Sequence, residues 1–315
     1  MRVGVVDIGT NSTRLLIADV DDGRVHEVVR RTEVTRLGEG VDATGRLGEE
    51  PMSRVLATLE AYHEAIREQG CDATTGVLTS AVREAENGPE FAELIRTRFD
   101  LDVRTISGEE EARLTFLGAT AERPDPPDGS LLVIDIGGGS TEFVIGRGGE
   151  VTFNVSTQAG VVRQTERHLH GDPPTPAELR ALGDEVRAIV ADAVPAEVRA
   201  TVAAAVGVAG TATSCAAIAQ ELDPYDPNRV EGYVLELGDL ELLLARLAGM
   251  PLAERRKVVG LHPDRAPTIV AGVLILLEAL RTFDLDRVEV SERDILWGAA
   301  IARASRESSD RSSSI

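Results

Sequence analysis

The segments DIGTNST, from Asp7, and DIGGGST, from Asp135, repeat one pattern: Asp-Ile-Gly, two further residues, then Ser-Thr. Glycine in such a turn lets the backbone approach a ligand closely. The hydroxyls of Ser and Thr, with the backbone N–H groups of the turn, are donors suited to phosphate oxygens. Each aspartate closes an apolar run, VGVVD at Asp7 and LLVID at Asp135. A carboxylate at the end of a buried strand is costly unless it meets a cation. One copy alone reads equally well as a hairpin whose Asp merely orders the turn. Two copies point to chemistry, because folding needs turns but does not need these residues twice. Two facing hairpins of this kind would grip a phosphate chain and its metal from both sides.

The elements that hold the turns repeat as well. VGVVD, LLIADV and RVHEVV in the first half, and LLVID, FVIGR and EVTFNV in the second, read as strand, tight turn, strand, Gly turn, strand. Helical patterns follow in both halves, EEPMSRVLATLEAYHEAIREQG and TPAELRALGDEVRAIVADAV. The fold class is α/β, built by duplication. The stretch AERPDPPDGS, with three prolines in ten residues, cannot continue a helix and reads as the connection between units. The expected division is a first domain over 1–124, a second over 125–304 whose last helix could pack on the first, and a disordered tail over 305–315.

The chain has 315 residues, more than one compact domain usually holds. Its 33 basic and 53 acidic side chains leave a net charge of −20, which argues against a generic nucleic-acid binder. Any anionic substrate must therefore be held by a local pocket rather than by the overall field. Two cysteines, Cys71 and Cys215, supply neither a disulfide framework nor a thiolate metal site and suit a reducing cytosol. No apolar run approaches the roughly 18–20 residues of a membrane span. The expectation is a cytoplasmic protein without membrane or nucleic-acid partners.

The paired hairpins resemble those of the actin-like ATPase superfamily, and GVAGTATSCAAI is similar to its third, Gly-rich turn opening a helix. More specifically, DIGTNSTRLLI, TSAVREAENG, ISGEEEARLTFLGA, DIGGGSTEFVIG and GLHPDRAPTIVAGVLIL together resemble the exopolyphosphatase and guanosine pentaphosphate phosphatase family. The resemblance runs from about Met1 to about Ala304. It implies two actin-like (ribonuclease H-like) domains with a cleft between them. It also implies an Mg2+-dependent hydrolase, with Mn2+ as a substitute, that cuts the terminal phosphoanhydride of inorganic polyphosphate, with guanosine pentaphosphate as a further candidate substrate.

Residue roles carry over one by one from that resemblance. Glu111, before Ala-Arg in EEEAR, would be the base that activates water; Ser107 and Glu110 form an N-terminal capping pattern that explains Glu109 and Glu110 but does not require Glu111. Asp7, Asp135 and Glu142 would hold the metal directly or through waters. Asn11, Ser12, Gly138, Gly139, Ser140 and Thr141 would line phosphate oxygens, with Gly210 and Thr211 as a further turn. Arg83 would pair with phosphate through its planar fork; its ordinary reading is an ion pair with Glu84 or Glu86. Arg14, Arg163 and Arg265 match basic positions of the family, the last two as candidates for a track along long substrates. His168 and His170 lack a third ligand nearby and read as surface polar residues, and Trp297 reads as packing.

Two departures from the family pattern stand out: Pro267 follows Arg265-Ala266, and Leu296-Trp297 precedes Gly298 where relatives often carry Arg-Glu. They leave the docking of the last helix open. The alternatives are an ATP-dependent small-molecule kinase of the same fold and a nonenzymatic guanosine tetraphosphate-binding sensor. Glu111 separates hydrolase from kinase. Assembly state stays open, a homodimer among the options.

Overall fold

The computed structural model describes residues 1–312, and the chain falls into two compact units, Met1–Glu122 with Asp294–Ile315, and Arg123–Arg293. In the first unit β1 (Arg2–Ile8), β2 (Thr13–Asp21), β3 (Arg24–Glu33), β4 (Ala73–Leu78) and β5 (Val103–Thr105) form one sheet in the order β3-β2-β1-β4-β5. β1 pairs antiparallel with β2 and parallel with β4, so it is a central strand, and Val3 to Ile8 are all buried. Side chains alternate between the two faces. Val6 and Ile8 face a cluster with Leu15, Ile17 and the Glu49–Glu68 helix, which buries Val55, Leu59, Tyr62 and Ile66 at three- and four-residue spacing. Val3 and Val5 face the other cluster, formed with Leu16, Ala18, Leu296, Trp297, Ala300 and Ile301. Asp7 shares the parity of Val3 and Val5. It therefore emerges on the side covered by the Ile295–Ser312 helix.

In the second unit β6 (Ser130–Ile136), β7 (Thr141–Arg147), β8 (Glu150–Thr157), β9 (Val202–Val208), β10 (Val234–Glu236) and β11 (Arg287–Val290) give the order β10-β11-β9-β6-β7-β8. Read from the other edge this is the order and pairing sense of the first sheet, with β10 added outside. The duplication expected from the sequence is thus a duplication of topology. Leu132, Ile134 and Ile136 join a core around the Ile269–Thr282 helix, in which every residue from Ile269 to Leu280 is buried. A helix apolar on all sides can only sit inside.

The Ile295–Ser312 helix belongs to the first unit. It is docked by backbone contact: a Cβ on Gly298 would lie 1.8 Å from the Leu114 carbonyl oxygen, and one on Gly118 would lie 2.0 Å from that of Asp294. Gly118 and Leu114 lie on the Gly108–Thr120 helix, so the two helices meet as closely as backbones can. Leu296 and Trp297 fill the interface on the sheet side, and Arg30 lies over the Trp297 ring at 5.5 Å. Residues 305–312, expected as tail, continue this helix, supported by an Arg303–Glu307 ion pair at 2.7 Å; residues 313–315 lie outside the described residues. The chain thus returns to the first unit at Asp294, so the last helix of the 125–304 segment packs on the first unit, the option the sequence leaves open, and the boundary falls at 293 rather than 304.

Candidate active site

In open α/β sheets ligands gather beyond the carboxyl ends of the parallel strands. In the first unit those ends are occupied by the Gly9–Ser12 turn after β1, the Thr79–Arg83 segment after β4 and the Ser107–Glu111 segment after β5. Thr10 Oγ1 and Ser80 Oγ are 2.7 Å apart, joining the first two. Asp7 is buried and its Oδ2 accepts from Arg14 Nε at 2.8 Å and Nη2 at 2.6 Å. Arg14 Nη1 also donates to Asp294 Oδ2, so one guanidinium bridges two buried carboxylates. Burial pushes the Asp7 carboxyl above the ordinary carboxylate range, more than Arg14 pulls it back, and Asp294 adds to the rise. The other oxygen, Oδ1, is buried with no hydrogen-bond partner among the described residues.

Arg83 and Glu111 meet. Arg83 Nη1 donates to Glu111 Oε2 at 3.1 Å and to the Ile106 carbonyl at 2.9 Å. The anticipated partners Glu84 and Glu86 are not its partner here; Glu86 pairs with Arg46 at 3.0 Å. Ser107 caps the helix by accepting from Glu110 N at 3.2 Å, while the Glu110 carboxylate turns to Arg113 at 3.0 Å, and that bond holds its pKa below the ordinary range. Of the three successive glutamates, Glu111 is the one brought to Arg83. Glu111 is half-buried and Arg83 exposed, so the pair is within reach of a solvent-borne anion.

In the second unit Gly137–Ser140 forms the matching turn after β6, closed by Gly137 N donating to Ser140 O at 2.9 Å, as Gly9 N donates to Ser12 O at 2.9 Å. Asp135 and Glu142 are cross-strand neighbours, and Glu142 Oε1 accepts from Ser156 Oγ at 2.7 Å. Thr141 does not line the turn as expected: it is fully buried and its hydroxyl donates to the Ala159 carbonyl at 2.8 Å. Its counterpart Thr13 is likewise buried against Thr35. The threonine of each repeat is a structural anchor, which leaves Gly138, Gly139 and Ser140, and Asn11 and Ser12 in the first unit, as the accessible positions.

β9 delivers the third turn. Ala209 holds a left-handed φ of 60°, a strained conformation for a residue with a side chain, and opens the Ala209–Ala219 helix. Arg265 lies over Gly210 so closely that a Cβ there would be 1.2 Å from its Nη1. Thr211 is buried beside Gly272. Arg163 donates from Nε to the Gly139 carbonyl at 3.1 Å. His168 pairs with Glu185 at 2.8 Å, while His170 is exposed.

Among the described residues no group of three or more His, Cys, Asp or Glu side chains is gathered to hold a metal. Mg2+ seldom needs one, since it keeps waters and binds through one or two carboxylates plus phosphate oxygens. Within the second unit the all-oxygen pair Asp135 and Glu142 fits that requirement; within the first, Asp7 offers an unpartnered Oδ1. Sequence reasoning missed Asp294, whose Oδ1 also caps the last helix by accepting from Leu296 N at 3.0 Å. Its place just before an apolar helical run was a capping signal, but nothing local points to Arg14.

Residues 16–298 match the Ppx/GppA phosphatase family, and the chain belongs to it. Exopolyphosphatase 2 of Mycobacterium tuberculosis is 38% identical over 316 aligned positions, covering 96% of this chain and 98% of that protein. The crystal structure of the Aquifex aeolicus Ppx/GppA family member superposes with a TM-score of 0.86 at 33% identity, covering 98% of each chain. An exopolyphosphatase from Cytophaga hutchinsonii gives a TM-score of 0.83 at 27% identity over 95% of this chain and 96% of the other. The fold is the actin-like one, and the family is one of phosphoanhydride hydrolases.

Proposed function

We propose that the protein is an exopolyphosphatase, releasing the terminal phosphate of inorganic polyphosphate by attack of a water held by Glu111. The observation that carries this reading is the Arg83–Glu111 pair at 3.1 Å beyond the carboxyl ends of β4 and β5. A phosphoryl-transfer site has little covalent chemistry to perform and works by positioning and charge stabilisation. Glu111 supplies an acceptor that orients water and takes its proton. Arg83, fixed through one Nη1 to Glu111 and Ile106, has a planar fork suited to the phosphate under attack. A kinase would need a second substrate hydroxyl where this reading places water.

In the second unit Asp135 and Glu142 would hold Mg2+, whereas in the first unit Oδ2 of Asp7 is taken by Arg14. When bound, the metal would neutralise charge building on the phosphate oxygens. The N–H groups of Gly138, Gly139 and Ser140 would meet phosphate oxygens at the turn. Guanosine pentaphosphate presents the same terminal anhydride and is the second substrate to test. Phosphate release from long polyphosphate, tripolyphosphate, guanosine pentaphosphate and ATP, each with and without Mg2+, distinguishes the readings. Release from polyphosphate supports this one; none from polyphosphate, with transfer from ATP to a small hydroxyl compound, replaces it by the kinase. Tight guanosine tetraphosphate binding without release favours the sensor.

A further inference from the structure

Three successive carbonyls of the Gly137–Ser140 turn are held by one short segment. Val161 N donates to Gly137 O at 2.9 Å, Val162 N to Gly138 O at 2.9 Å, and Arg163 Nε to Gly139 O at 3.1 Å. In a trans peptide the C=O of one residue and the N–H of the next point in opposite directions. Drawing these carbonyls toward the Val161–His168 helix therefore aims the N–H groups of Gly138, Gly139 and Ser140 away from it, as a set. The approach leaves no room for a side chain at Gly160, where a Cβ would lie 2.2 Å from the Gly139 carbonyl carbon and 2.3 Å from Gly138 O.

The first unit uses the same device: Gly38 N donates to Thr10 O at 2.8 Å and Arg36 N to Asn11 O at 2.9 Å, which aims the N–H groups of Asn11 and Ser12. There both donors are backbone. In the second unit the last of the three is a side chain, and it holds the peptide whose N–H belongs to Ser140.

We propose that Arg163 is a positioning residue, bracing the Gly139–Ser140 peptide so that its N–H faces the phosphate, rather than part of a basic track for long chains. The inference rests on the reading that this turn binds phosphate. What it requires is an N–H donor at the Nε position, not the positive charge. Arg Nε and Gln Nε2 are each the fourth side-chain atom out from Cα, so R163Q keeps a donor there without charge, whereas R163K keeps charge but places its donor one atom further.

The test measures kcat and KM for tripolyphosphate and long polyphosphate at fixed Mg2+ for R163Q, R163K and R163A, with thermal melts to establish folding. Loss of one preorganised donor at a phosphoryl or acyl centre costs roughly 10²–10³ in rate, so misaiming one is expected to lower kcat by about 10- to 100-fold in R163A. The loss should be equal for both substrates, with little change in KM. R163Q, whose neutral amide makes a weaker bond, should lose about threefold, and R163K should resemble R163A. Rescue by Lys but not Gln, or an effect confined to KM for long chains, overturns the proposal. If the wild-type protein releases no phosphate, hydrolysis fails as a reading and tripolyphosphate binding by calorimetry takes its place. The ranking wild type, R163Q, then R163K and R163A would keep the brace; equal affinities, or no binding by wild type, would overturn it.

Discussion

Asp135 faces Glu142 across the β6–β7 ladder at the register position where Asp7 faces Arg14 across β1–β2. The two hairpins share topology, closing hydrogen bond and buried threonine, yet they differ at the residue opposite the aspartate. A carboxylate beside an arginine has its countercharge within the fold. Two carboxylates beside one another repel, and a cation held between them would relieve that repulsion. The proposed metal role therefore rests chiefly on the second hairpin, since Oδ2 of the first aspartate is committed to Arg14.

Metal dependence should follow this asymmetry. Losing a partner one shell out from a metal typically costs 10- to 100-fold in affinity, and losing a direct oxygen ligand should cost at least roughly tenfold. Asp135→Asn or Glu142→Gln should therefore move the Mg2+ activation midpoint of phosphate release up by that factor, whereas Asp7→Asn should move it far less. An equal shift for all three variants contradicts the assignment.

Arg14→Met leaves Asp7 and Asp294 as buried carboxylates without their shared cation. Removing one partner of a buried ion pair costs about 3–5 kcal/mol. Urea unfolding of the variant should show a loss in that range, partly restored when Asp294→Asn is added. A loss under about 0.5 kcal/mol, the size of an ordinary surface substitution, would mean the bridge is not buried in solution.

How legible these features were depends on the distance along the chain between partners. The Asp-Ile-Gly-x-x-Ser-Thr turns, the strands around them and the Glu49–Glu68 and Pro176–Ala193 helices could be read because each is specified within a few residues. The Arg14–Asp294 bridge spans 280 positions, and Arg83–Glu111 spans 28. No local pattern encodes either, although the family resemblance pointed to Arg83 and Glu111 separately. Thr141 misled because a hydroxyl in a turn looks like a ligand donor until burial shows that it serves the Ala159 carbonyl. The Ser-rich end misled because its composition resembles a tail, while the helix before it is nucleated by apolar docking on β1 and continues by propagation.

Gly298→Ala should loosen the helix that carries Glu111. Its Cβ would overlap the Leu114 carbonyl at 1.8 Å, and Leu114 lies one turn along from Glu111. Overpacking of this kind costs typically about 1–3 kcal/mol. The variant should show a lower urea midpoint and, in the protein that remains folded, a reduced kcat. Unchanged stability would contradict the backbone contact.

Acid should uncap the Pro176–Ala193 helix. Glu178 completes a capping box with Thr175, and the Thr175 backbone and side-chain donors, with the N–H groups of His170 and Gly171, hold its pKa down to about 2. Because the folded value lies below the unfolded one, the stabilisation is complete above the ordinary carboxylate range. It is lost as pH falls through that range toward about 2. The stability gap between wild type and Glu178→Gln should be widest near neutral pH and narrow as pH drops below about 4.5, the ordinary glutamate value. A gap independent of pH would show that the carboxylate's ionisation does not matter there.

The central claim is that Glu111 activates water against a terminal phosphoanhydride. Its most direct test is the single-turnover rate of phosphate release from polyphosphate by wild type and Glu111→Gln at saturating substrate and Mg2+. A general base contributes on the order of 10²–10⁴ in rate. The account predicts a fall of that size with substrate affinity and melting temperature close to wild type. Release within about threefold of the wild-type rate, far short of a base's contribution, would contradict it.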